Sequence, residues 1–218
     1  MIKAAIFDFD GTLVDSMPFW ENIGKNYLLS LGKTPREDLR KTFKTFTLEQ
    51  SAAYYQKHYD VKLTAEEIIE GVNRMVASFY RQTAALKPGV KGFLERLEEK
   101  GISMCVATVT EGSLVEAALD RLGIRPYFRG VLSCAHTGHN KEEPYIYRQA
   151  AALLGREKNQ TVVFEDVIHA LQTAKKDGFL TAAVYDPYEE RQREMREMAD
   201  FYIRDFSDAG VFLKALYI

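Results

Sequence analysis

Asp8 and Asp10 stand two residues apart at the end of the apolar run Ala4-Ala5-Ile6-Phe7, and Gly11-Thr12 follow at once. Side chains alternate in an extended chain, so both carboxylates project to one face. Two like charges this close repel. The pair persists with a cation beside it, or with one carboxyl protonated and able to act as an acid. Alone, D-x-D-G is a turn signal with a polar residue at a strand end. Two further apolar runs end in comparable groups, however. Ile102 to Ala107 stops at Thr108, and Thr161 to Phe164 stops at Glu165-Asp166. Carboxylate pairs on two strands and a hydroxyl on a third exceed what turns require. Four carboxylates gathered in one cleft call for a hard divalent cation with oxygen ligands, Mg²⁺ first among them. Together with one lysine, that cation would attract a phosphoryl group through its oxygens. One Asp then serves as nucleophile while the other, kept partly protonated, moves a proton. Gly11 lets backbone N–H groups approach phosphate oxygens.

These groups meet only if the strands that carry them lie side by side. The first run is apolar without polar alternation, as in a strand buried on both faces. From Ser16, a candidate N-cap, to about Ala85 every periodic segment is helical. Trp20, Ile23, Tyr27, Leu28 and Leu31 mark the first helix. Two more run from Pro35 to about Lys44 and from Leu48 to about Lys57. Thr64 and Glu67 open the fourth as a capping box. Such a helical block inserted after one strand reads as a separate subdomain. Lys87-Pro88-Gly89 restarts an alternation of helices and strands, with strands at Ile102 to Ala107, Gly130 to Ser133, Thr161 to Phe164, Leu180 to Val184 and Phe201 to Ile203. The last helices run through Glu189 to Met198 and Asp208 to Leu216. This succession predicts an α/β fold: a parallel sheet with helices on both faces, whose sites lie at the carboxyl ends of the strands. Asp8, Asp10, Thr108, Glu165 and Asp166 are all placed there.

Composition narrows the partners. Lys and Arg number 29 against 31 Asp and Glu, so the charge balance carries no footprint for nucleic acid or an anionic membrane. No apolar stretch approaches the length of a membrane span, and Met1-Ile2-Lys3 leads into a strand rather than a signal peptide; a cytoplasmic location is the default. Cys105 and Cys134 sit in or beside strand-like runs and read as buried reduced thiols. His136 and His139 read as solvated loop residues rather than metal ligands. Arg36, Arg40, Lys41 and Lys44 read as a solvated helix face rather than a second anion site.

Asp8-Phe9-Asp10-Gly11-Thr12-Leu13-Val14-Asp15-Ser16 resembles the first motif of the haloacid dehalogenase superfamily, in its phosphotransferase branch. The other motifs follow in order: Thr108 after Val106-Ala107, Lys141 before a helix, and the acidic pair of Phe164-Glu165-Asp166. The resemblance implies a Rossmann-like core over residues 1–13 and 87–218 and a helical cap over 14–86. It implies a phosphatase for a small phosphorylated metabolite, as a monomer or weak homodimer. Asp8 would form an aspartyl-phosphate, and Asp10 would protonate the leaving group and then activate water. Thr108 and Lys141 would hold phosphoryl oxygens; Mg²⁺ would be bound by Asp8, the Asp10 carbonyl, Glu165 and Asp166. A β-phosphoglucomutase-like mutase is the alternative. Those enzymes carry a His near the position of Trp20 and an Arg where Thr45 to Leu48 stand, and Trp cannot relay a proton as His does. A binding protein on the same fold would usually have lost one of these groups. Two departures concern loops: Lys141 is followed by Glu142-Glu143-Pro144 instead of Pro, and Val167 and Ala170 replace the usual Ser and Gly.

Overall fold

The computed structural model describes residues 1–36, 39–43 and 46–216, with the backbone alone at His136 and Val211. In chain order, β1 (Ala4–Phe7) leads to α1 (Met17–Ser30), α2 (Leu39–Phe43), α3 (Leu48–Tyr59) and α4 (Ala65–Ser78). The alternation then runs α5 (Val90–Glu99), β2 (Ser103–Thr108), α6 (Gly112–Arg121), β3 (Phe128–Ser133), α7 (Tyr145–Leu154) and β4 (Thr161–Glu165). It closes with α8 (Ile168–Lys176), β5 (Leu180–Val184), α9 (Gln192–Met198), β6 (Phe201–Ile203) and α10 (Gly210–Ala215). Two compact units result, one of Met1–Asp15 with Ala84–Ile218 and one of Ser16–Thr83.

The first unit is built on a six-stranded sheet in the order β3-β2-β1-β4-β5-β6, with every neighbouring pair parallel. The α/β parallel-sheet reading of the sequence holds. β1 lies between β2 and β4, with Ala4 opposite Ser103 on one side and Thr161 on the other. All four of its residues are buried, which is why its sequence lacks polar alternation. Strand order reverses at β1, and in such sheets ligands bind in the crevice outside the carboxyl ends at the reversal. Aromatic rings fix the strands there from one face. Phe7 and Phe164 stack at 4.4 Å, while Phe93 of α5 and Phe212 of α10 meet Phe164 edge-on at 5.7 and 5.2 Å. On the other face Ile6, Cys105 and Val163 pack with Tyr147, Ala150 and Leu154 of α7. Both cysteines are buried and free, and burial pushes the Cys105 thiol up to about 12, so it stays protonated and inert.

The second unit is helical. α3 and α4 both open with capping boxes, Thr47 with Gln50 and Thr64 with Glu67. Ser16 precedes α1 but makes no capping bond, contrary to the reading of it as an N-cap; its hydroxyl is buried without a partner, and Pro18 occupies the first turn instead. Tyr27, Leu28, Tyr55, Tyr59 and Ile68 form the centre of this unit. Tyr55 and Tyr80 are core residues, and the Trp20 indole donates to the Tyr80 hydroxyl at 3.1 Å. Of the basic residues, Arg40 pairs with Glu21 at 3.5 Å and Arg36 lies over the Tyr59 ring at 5.8 Å. Lys44 and Thr45 lie outside the described residues. No described helix is long and apolar enough to cross a membrane.

Among the boundaries that differ from the sequence reading, two are set by contacts with neighbouring elements. α9 begins at Gln192 rather than Glu189, because the Glu189 carboxylate accepts from the Ile168 and Arg191 N–H groups and so caps α8 across the loop. β3 begins at Phe128, two residues before Gly130, since Phe128 pairs with Met104 of β2.

Candidate active site

The ladder carries one residue past β1, where the Asp8 N–H donates to the Phe164 carbonyl at 3.0 Å. The chain then closes into a turn. The Leu13 and Val14 N–H groups both donate to the Phe9 carbonyl, and the Gly11 N–H donates to Val14 at 2.9 Å. Gly11 thus bonds its own N–H within the turn. Its φ of +74° and its neighbour explain the residue: a Cβ here would come within 2.7 Å of the Asp166 carboxyl carbon and overlap an oxygen. That close approach lets the Thr12 hydroxyl donate to Asp166 Oδ1 at 3.0 Å.

Glu165 and Asp166, at the end of β4, are buried beside Asp8. Ligand oxygens of the three residues lie within 4.8 Å of one another, the one such group among the described residues. Lys141, only 6 % exposed, reaches in from the loop before α7 and donates to Asp8 Oδ1 and, at 2.7 Å, to Glu165 Oε1. The Tyr147 hydroxyl of α7 donates to that same Oε1 at 2.7 Å. Glu165 Oε2 is buried and without a hydrogen-bond partner. Thr108 ends β2 fully buried, its hydroxyl accepting from the Thr110 N–H at 3.0 Å. Asp10 is not in the three-carboxylate group but its charge acts on Asp8, and Thr110 donates to its Oδ2 at 2.6 Å. Ser133 of β3 donates to the Thr110 carbonyl, fixing that loop from the neighbouring strand.

The electrostatics follow from one ammonium among three buried carboxylates. Burial raises the Asp8 carboxyl from 3.8 to about 7 even though Lys141 opposes it. Burial, with Asp8 and Glu165 adding to it, holds Asp166 well above the ordinary range. Burial pulls Lys141 down, but Asp8 and Glu165 outweigh it and raise the ammonium above its usual value. Lys141 thus stays charged and cannot neutralise the whole cluster. An orphaned carboxylate oxygen amid excess negative charge, all donors being hard oxygens, fits a divalent cation of the Mg²⁺ class.

A pH dependence follows from these shifts. Asp8 contributes stability that is fully present below about pH 4 and is lost as pH rises through about 7; Asp166 acts in the same direction. A cation held by the ionised carboxylates would offset that loss. The rise in melting temperature between EDTA and Mg²⁺ is therefore expected to be larger at pH 8 than at pH 5. Equal increments at the two pH values would contradict the assignment of the cation to these acids.

Thr110, Tyr147, Thr12 and Ser133 were not singled out from the sequence. A signal existed for Tyr147: with Ala150, Ala151 and Leu154 it forms the buried face of α7 at helical spacing. His139 is not among the clustered acids; its Nδ1 lies 2.7 Å from Glu143 Oε2 and its ring stacks on Tyr145.

The family model described as haloacid dehalogenase-like hydrolase matches residues 5–184. Hexitol phosphatase B of Escherichia coli is 27% identical over 197 residues, covering 89% of this chain and 88% of that protein. The fructose-1-phosphate phosphatase of the same organism is 30% identical over 186 residues, covering 79% and 91%. Among solved structures, one from Thermotoga maritima assigned as a β-phosphoglucomutase superposes with a TM-score of 0.85 at 23% identity, covering 98% and 99%, which shows the shared fold.

Proposed function

This chain belongs to the haloacid dehalogenase-like hydrolase family, and from that premise we propose that it is a Mg²⁺-dependent phosphatase of a small phosphorylated sugar or sugar alcohol. The reading is carried by one observation: a buried nucleophile candidate, Asp8, paired with Lys141 and adjoined by Glu165 and Asp166 with an oxygen left unpartnered. Asp8 attacks phosphorus, the ester P–O bond breaks, and Asp10 gives its proton to the departing alkoxide, which leaves as the alcohol. Asp10, now a carboxylate, takes a proton from water as that water attacks the aspartyl-phosphate; the bond to Asp8 breaks and inorganic phosphate leaves. Lys141 and the Thr108 hydroxyl hold phosphoryl oxygens. Thr110 steadies Asp10 through its Oδ2. Asp8, Glu165 and Asp166, with the Asp10 carbonyl, would hold Mg²⁺, which supplies positive charge against which a phosphoryl dianion can approach a carboxylate. The names of the E. coli relatives, a hexitol phosphatase and a fructose-1-phosphate phosphatase, support the substrate class.

The test is phosphate release from a panel of phosphorylated hexoses and hexitols, with Mg²⁺ and with EDTA, including β-glucose 1-phosphate followed for conversion to the 6-phosphate. Metal-dependent release is the expected result. Isomerisation with little release would make the protein a mutase instead, and turnover of none of the panel with metal bound would overturn the reading.

A further inference from the structure

Glu165 meets its surroundings asymmetrically. Two buried donors, the Lys141 ammonium and the Tyr147 hydroxyl, converge on Oε1 at 2.7 Å each, while Oε2 has no partner. A carboxylate that is fully buried and doubly bonded on one oxygen cannot rotate without breaking both bonds, so its other oxygen is held in one direction. Glu165 offers one oxygen to the group it forms with Asp8 and Asp166, and Oε2 is the oxygen that no protein donor occupies. Tyr147 is itself 0% exposed, in the buried face of α7, and its hydroxyl donates to Glu165 as a neutral group. Unlike Lys141, it brings no charge that would repel a cation.

We propose that Tyr147 is a positioning residue for the divalent cation: by occupying Glu165 Oε1 it presents Oε2 as a ligand. The inference rests on the reading of Asp8, Glu165 and Asp166 as a cation site. It assigns to Tyr147 no contact with substrate and no part in proton transfer. Outer hydrogen bonds of this kind orient metal ligands, and their loss typically costs about 10- to 100-fold in metal affinity.

The experiment is calorimetric titration of Mg²⁺ into wild type, Tyr147→Phe and Tyr55→Phe at pH 8, below the melting temperature of each. Tyr55→Phe removes the hydroxyl of another buried tyrosine, one that donates to the Gly24 carbonyl in the helical unit, and controls for general softening. Expected are a roughly 10- to 100-fold weaker affinity for Tyr147→Phe and an unchanged one for Tyr55→Phe. Wild-type affinity in Tyr147→Phe overturns the inference while leaving the cation site standing. Absence of Mg²⁺ binding by wild type overturns both. Should Tyr147→Phe fail to fold, the question moves to wild type by NMR, where the buried Tyr147 hydroxyl proton is expected to shift on Mg²⁺ titration. A resonance that Mg²⁺ leaves unmoved overturns the inference.

Discussion

Asp8→Asn is expected to abolish phosphate release, with kcat lower on the order of 10⁴-fold or more, the scale seen when a covalent nucleophile is removed. Asn copies the shape of Asp and its amide oxygen can still accept from Lys141, so the packing of Phe7 and Phe164 beside it is undisturbed. What disappears is the carboxylate proposed to attack phosphorus. The stability effect has the opposite sign. Burial holds the Asp8 carboxyl at about 7, so above that pH the metal-free protein keeps an ionised group that its surroundings disfavour. The neutral amide removes that penalty, and Asp8→Asn in EDTA at pH 8 should melt at or above the wild-type temperature. Steady-state phosphate release and thermal melting on the same samples check both halves. Acid-quenched wild-type enzyme should in addition carry phosphate on the peptide that contains Asp8. Activity of Asp8→Asn within about tenfold of wild type would exclude the covalent route.

The frame of this site is legible in the sequence because each of its strands is an uninterrupted apolar run with an abrupt polar end. Ala4–Phe7, the run before Thr108 and the run before Glu165 are buried on both faces, so length and apolarity locate them, and parallel topology brings their ends together. Asp8, Glu165 and Asp166 needed no knowledge of packing to be singled out. Tyr147 and Thr110 did. Whether a tyrosine on α7 meets an acid on β4 depends on how that helix docks, and aromatic residues at helical spacing are ordinarily core, which Tyr147 also is. Thr110 reaches Asp10 only because its loop is fixed by Ser133 on β3, a contact set by strand neighbours. Gly11 shows a third kind of gap. The need for glycine was visible, but not the Asp166 carboxyl, 155 residues away, that lies against it. Local propensity likewise favoured Ser16 as a cap and Glu189 inside a helix, and in both cases tertiary partners or burial decided otherwise.

Lys141→Met is expected to separate cation binding from catalysis. The substitution keeps an unbranched apolar stem of similar length and removes the one ammonium among Asp8, Glu165 and Asp166. The donor proposed for phosphoryl oxygens is lost, and kcat/KM should fall on the order of 10³-fold, the upper range for deleting a single oxyanion-stabilising group. Toward the cation Lys141 acts in two opposed ways: it helps to fix Glu165 Oε1, and its charge repels another positive charge held by the same carboxylates. Removing it makes the cluster more negative while Tyr147 still holds Oε1, so Mg²⁺ affinity should be unchanged or tighter. This is the reverse of the outcome expected for Tyr147→Phe. Together the two variants distinguish charge from orientation at one oxygen. Without metal the picture changes again. Breaking a buried ion pair from one side costs about 3–5 kcal/mol when the remaining charge stays ionised, and less where it takes up a proton. Loss of the ammonium raises Asp8 beyond about 7, so the stability deficit in EDTA should be small at pH 5 and grow toward pH 8, where Mg²⁺ should largely remove it. Weakened Mg²⁺ binding in Lys141→Met, or a deficit independent of pH, would show that the lysine serves the fold rather than the balance of charge around Asp8.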